Sequence, residues 1–79
     1  MKIFDLPKLL KQQFPSLEIS DSTMDLGVGS LPEWDSLGHF NLLLLIEESY
    51  DVRFTMEEMS EIKALKDIAK VLRAKGVDD

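Results

Sequence analysis

The sequence predicts an all-α fold: a small three-to-four-helix bundle with a long ordered loop between the first and second helices. Three observations predict it. Apolar residues recur at helical spacing in three separate segments, and helix start and stop residues flank those segments. The strand-like alternation at Leu17-Glu18-Ile19-Ser20 is short and has no second run to pair with. At 79 residues the chain is expected to form one domain, 1–79, and without cysteine it must be stabilised by packing.

Leu6, Leu9, Leu10 and Phe14 predict a first helix over about residues 5–14, with Asp5 able to cap it, Pro7 tolerated in its first turn and Pro15 as its stop. The longest helix is expected from Ser36 to Tyr50, with Asp35 as N-cap and Tyr50-Asp51-Val52-Arg53 as its exit. Thr55-Met56-Glu57-Glu58 is a T-x-x-E capping box and predicts a short helix of one or two turns. Leu65, Ile68, Ala69 and Leu72 then define a last amphipathic helix that starts near Lys63, with Gly76 as its C-terminal stop. Residues 15–34 make a connection too long to be left unsupported. Leu17, Ile19, Met24, Leu26, Val28, Leu31 and Trp34 are expected to pin it across the bundle.

The formal net charge of -6 is unevenly placed. Both ends are mildly basic, through Lys2, Lys8 and Lys11 on one side and Lys63, Lys66, Lys70, Arg73 and Lys75 on the other. Residues 33–61 hold Glu33, Asp35, Glu47, Glu48, Asp51, Glu57, Glu58 and Glu61 against the single cation Arg53. Such a field repels nucleic acid and anionic lipid and favours partners with basic patches. A 44% hydrophobic content excludes a disordered chain. No apolar run approaches the roughly 18 residues of a membrane span, and Asp5, Pro7 and Lys8 interrupt the stretch where an export signal needs an apolar core. A cytoplasmic monomer is expected.

Several tempting motifs do not carry chemistry. Gly27-Val28-Gly29 lacks the third glycine, the lysine and the strand–helix context of a phosphate loop. Ser36 and His39, spaced i, i+3, could suggest a nucleophile and base, but an orienting acid, a strained elbow and an oxyanion hole are not visible. With one histidine, no cysteine and no EF-hand spacing, no metal ligand set or catalytic residue is predicted. His39 reads as a packed or capping side chain.

On a wheel at 100° per residue, Phe40, Leu43, Ile46 and Tyr50 fall on one side of the long helix, with Ser36, His39 and Glu47 near them and Leu42 on the border. That side is the expected core stripe. Leu37, Asn41, Leu44, Leu45 and Glu48 lie opposite and are expected to form a partly exposed interaction stripe framed by carboxylates. Ser36 stands at the helix start, where unpaired N–H groups and the positive end of the dipole favour a phosphate.

Asp35-Ser36-Leu37, followed by an apolar helix ending in Ile46-Glu47-Glu48-Ser49-Tyr50-Asp51-Val52-Arg53-Phe54, closely resembles the acyl carrier protein family. The match runs without a gap from Asp35 to the last helix, and extends to Leu6–Phe14 as first helix and to Met24-Asp25-Leu26-Gly27 in the loop. The resemblance implies that Ser36 carries a 4'-phosphopantetheine arm donated by coenzyme A, with Asp35 beside the incoming cofactor and its metal and Leu37 completing the motif. It implies partners in turn: a phosphopantetheinyl transferase, then acyl-loading and acyl-transfer enzymes with basic docking patches, reading a face that includes Leu37, Leu44, Glu47 and Glu48, beside which the wheel sets Asn41 and Leu45. Gly38 and Asn41 stand where fatty-acid carriers often have acids, the segment before the motif is longer than usual, and Trp34 resembles carriers outside the housekeeping pathway. These departures imply a specialised member. A permanently docked carrier-like module and an aminoacyl or peptidyl carrier stay open as alternatives.

Overall fold

The computed structural model describes residues 2–78 and contains four α-helices: α1, Leu6–Gln13; α2, Ser36–Tyr50; α3, Met56–Glu61; and α4, Leu65–Ala74. Two 3-10 turns, Ile3–Asp5 and Thr23–Asp25, complete the regular structure, and no strand occurs among the described residues. The small all-α bundle that the periodicity predicts is present.

The helix ends follow from local chemistry, with two departures from expectation. Asp5 does not cap α1: its carboxylate accepts from the Lys2 N–H at 3.1 Å and closes the preceding 3-10 turn instead. At the other departure, α4 starts at Leu65 and is capped from inside its own first turn. Asp67 Oδ2 accepts from the N–H groups of Ala64 (3.0 Å) and Lys63 (3.1 Å), and these two bonds hold its carboxyl below the ordinary range. The capping box at α3 forms in both directions, Glu58 N–H to Thr55 Oγ1 at 3.1 Å and Thr55 N–H to Glu58 Oε1 at 2.8 Å. Gly76, at φ 91°, stops α4 as expected, and the Val77 N–H returns to the Leu72 carbonyl at 3.0 Å.

Leu6 and Leu10 of α1, Leu42 and Ile46 of α2, and Leu65, Ile68 and Leu72 of α4 meet in one core. The roll of α2 differs from the wheel reading. Phe40 is exposed and Leu42 is fully buried, so the buried face is turned by roughly 40° about the helix axis. Leu45, placed on the outer stripe by the wheel, is half-buried against the core. The physical reason is that α2 is apolar almost all the way round from Leu37 to Ile46. Hydrophobicity therefore gives no preferred roll, and the neighbours of the helix choose it.

Residues 14–35 cross the bundle with Leu17 and Trp34 buried and Met24, Leu26 and Leu31 packed on the core, while Ile19 and Val28 point outward, contrary to expectation. Thr23 is buried and its hydroxyl takes the Ser20 N–H at 2.8 Å. The segment is tied to the residues before α4 by an isolated antiparallel bridge between Gly27 and Ala64. There the Val28 N–H reaches the Lys63 carbonyl at 2.9 Å and the Leu65 N–H reaches the Leu26 carbonyl at 2.8 Å.

At the start of α2, close approach requires glycine. A Cβ at Gly38 would collide with the Glu33 carbonyl oxygen and press on the Phe14 ring. Ordinarily Gly→Ala inside a helix stabilises by about 1 kcal/mol. Here overpacking is the larger effect, and Gly38→Ala is expected to destabilise the fold by about 1–2 kcal/mol. Urea unfolding measures it, and a raised midpoint would contradict the packing described.

Candidate functional site

Ser36 is the first residue of α2 and its side chain is exposed. Asp35 precedes it in an extended conformation, and Asp35 Oδ1 accepts from the Gly38 N–H at 2.8 Å, the N-cap bond expected from the sequence. The Asp35 carbonyl takes the His39 N–H at 2.8 Å. The N–H groups of Ser36 and Leu37 have no intrahelical acceptor and lie at the positive end of a 15-residue helix. An exposed hydroxyl is thus set beside two outward N–H donors and one capping carboxylate.

Directly behind this helix start, Trp34 is fully buried and lies between two rings. Its indole stacks on Phe14 at 5.4 Å between centroids and on His39 at 6.1 Å. The indole N–H also donates to His39 Nδ1 at 2.9 Å. An indole nitrogen can only donate, so Nδ1 is the bare nitrogen of a neutral imidazole and Nε2 carries the hydrogen. Nε2 lies 3.0 Å from the Ile62 carbonyl oxygen, which can only accept, and the two bonds assign the same tautomer. Both ring nitrogens are therefore engaged away from Ser36, and the pair does not form a nucleophile and base.

Two backbone bonds close these contacts into a circuit. The Trp34 carbonyl takes the Gly29 N–H at 2.8 Å, and the Lys63 carbonyl next to Ile62 takes the Val28 N–H. Trp34, the loop at 28–29, the α3–α4 junction at 62–63 and His39 are thereby linked in a ring of hydrogen bonds.

No family model, curated protein or solved structure matches the chain.

On the outer face of α2, Leu37 is 69% exposed, Phe40 48% and Leu44 44%. These residues are spaced i, i+3, i+7 and form one continuous apolar stripe, with Asn41 and Glu48 also exposed beside it. Further along, Leu44, Glu48, Asp51, Val52 and Arg53 line a groove of about 500 Å3, with Glu47 in its wall. Glu47 also has an internal task, since its Oε2 accepts the Phe54 N–H at 2.7 Å and holds the α2–α3 connection. The sequence reading placed Leu37, Asn41, Leu44 and Glu48 on the exposed side, where the structure puts them. It missed Phe40, and it missed the pairing of Trp34 with His39, whose signal was a donor-only and a two-sided ring five residues apart across an N-cap.

Burial holds the His39 pKa below its ordinary value of 6.5, partly offset by the bond to the Ile62 carbonyl. A histidine with a lowered folded pKa binds fewer protons folded than unfolded. Its contribution to stability is present above pH 6.5 and is lost as pH falls through the folded value. Urea unfolding across pH 8 to about 5 is expected to show stability declining with acid, with a flatter profile for His39→Gln. Asp67 and Glu58, whose carboxyls are also lowered, act only further into acid. An unchanged slope in the His39 variant would contradict the assignment of a neutral, hydrogen-bonded ring.

Proposed function

We propose that the protein is an acyl carrier, with a 4'-phosphopantetheine arm on Ser36 that presents acyl intermediates to a succession of biosynthetic enzymes. The observation that carries this reading is the exposed Ser36 hydroxyl at an Asp35-capped helix start, continuous with the outward stripe of Leu37, Phe40 and Leu44. The donor set fits a phosphodiester: two unpaired N–H groups and a helix dipole favour negative charge there. In the transferase complex the Ser36 hydroxyl attacks the pantetheine-bearing phosphorus of coenzyme A. Its proton passes to a base of the transferase, the phosphoanhydride bond breaks and adenosine 3',5'-bisphosphate leaves. Asp35 stands next to this centre and can help hold the magnesium that accompanies coenzyme A. Once attached, the arm supplies a long tether and a terminal thiol that holds the cargo as a thioester.

The rest of the chain then has a docking role. Leu37, Phe40 and Leu44 offer apolar contact area, while Asn41, Glu48 and the acidic groove give polar and charged complementarity to basic partners. Transient binding suits a carrier that each enzyme must release, and an acidic rim acts chiefly on association rate.

Intact mass after incubation with coenzyme A, magnesium and a broad-specificity phosphopantetheinyl transferase is expected to rise by one phosphopantetheine, with no rise for Ser36→Ala. No gain on folded wild-type protein would contradict the carrier reading and favour a docking module in which Ser36 only starts a helix. Leu44→Asp is expected to leave the fold intact and to weaken partner engagement by about 1–2 kcal/mol, read as a raised KM for transfer. Partner kinetics indifferent to that change would remove the stripe from the account.

A further inference from the structure

Because α2 is apolar nearly all round, the hydrophobic effect alone leaves its roll about its own axis undetermined. A roll that turned Phe40 inward and Leu42 outward would cost little in buried area, yet it would swing Ser36 through the same angle about the helix axis and change the direction in which its hydroxyl is presented. A polar group that must be satisfied in one place breaks such a degeneracy. His39 is that group. Its ring is part-buried, bonded on one nitrogen to Trp34 and on the other to Ile62, and a roll that left either nitrogen buried and unpaired would be disfavoured.

We propose that Trp34 and His39 are positioning residues for the modification of Ser36. The indole–imidazole–carbonyl bridge fixes the roll of α2 against the α3–α4 junction and so holds Asp35 and Ser36 in one orientation for the modifying enzyme. This rests on the reading of Ser36 as the attachment site. The geometry favours a positioning role over mere packing. Trp34 Nε1 and both imidazole nitrogens point along the bridge, and Ser36 lies only three residues from His39 on the same helix start. The other side of the junction is held by backbone bonds to Val28 and Leu26, which need neither the indole N–H nor the imidazole. The junction is a fixed anchor, and His39 is the tie from α2 to it.

Trp34→Phe keeps a ring between Phe14 and His39 but removes the donor, and His39→Leu keeps apolar volume but removes both bonds. Each is expected to remain folded by circular dichroism and urea unfolding. In transferase assays kcat for modification of Ser36 should fall roughly tenfold with KM unchanged, since misorientation rather than lost docking is the defect. The double variant should be no slower than the slower single one, because both residues act through one bridge. His39→Gln, able to donate to the Ile62 carbonyl, should recover part of the loss, and it serves as the test if either other variant fails to fold. Amide exchange is measured on the same proteins, and residues 37–40 should exchange faster in the variants while α4 is unchanged. Wild-type kcat in folded variants with unaltered exchange at 37–40 would overturn the proposal and leave the carrier reading intact. Were wild-type protein itself not modified, the carrier reading would fall, and the exchange pattern alone would uphold or overturn the fixing of the helix start.

Discussion

The hydrogen bond from the Trp34 indole to His39 is the contact on which the arrangement of the bundle turns. It joins the end of the long connection to the start of α2, and the other side of the imidazole joins α2 to the α3–α4 junction. Burying an indole contributes about 4–6 kcal/mol before ordering costs, a large share of the 5–15 kcal/mol typical of a whole domain. The apolar stack supplies most of that, and the polar bonds supply direction. With no cysteine for a cross-link, directional bonds of this kind are what a short chain has for selecting one packing among several of similar area.

The same arrangement separates holding from display. Phe14, Trp34 and His39 work behind the helix start, and Leu42, Leu43 and Ile46 face the core. Ser36, Leu37, Phe40 and Leu44 are left exposed on the outer surface. Glu47 shows how closely the two tasks meet: its side chain lies in the wall of the acidic groove and also fixes the Phe54 backbone. In the proposed carrier the chemistry belongs to the arm, and the protein contributes a rigid origin for it and a face by which enzymes grip. Rigidity at the origin matters because the far end of a flexible arm can only be aimed from its root.

Much of this was legible in the residues. The four helices, the Asp35 cap, the Thr55–Glu58 box and the Gly76 stop rest on local rules, in which a side chain acts on backbone within a turn of itself. Ser36 at an exposed helix start followed from the same logic. The misses are equally physical. Phe40 turned outward and the border residue Leu42 inward because a helix apolar on nearly every side carries little moment to orient it, and Leu45 was drawn toward the core by the same turn. Asp5 went to Lys2 because a 3-10 turn competes for the carboxylate that the helix would otherwise use. The His39 bond to Ile62 spans 23 residues, and no spacing rule reaches across that distance.

Nuclear magnetic resonance of the single histidine tests the central claim most directly. A long-range proton–nitrogen correlation on labelled protein at neutral pH reads which ring nitrogen carries the hydrogen, and a scalar coupling across the hydrogen bond reads whether the Trp34 indole is its neighbour. The structure predicts a static Nε2–H imidazole with coupling from Trp34 Nε1 to His39 Nδ1. An Nδ1–H tautomer, or a ring averaging between forms with no coupling to the indole, would contradict the account.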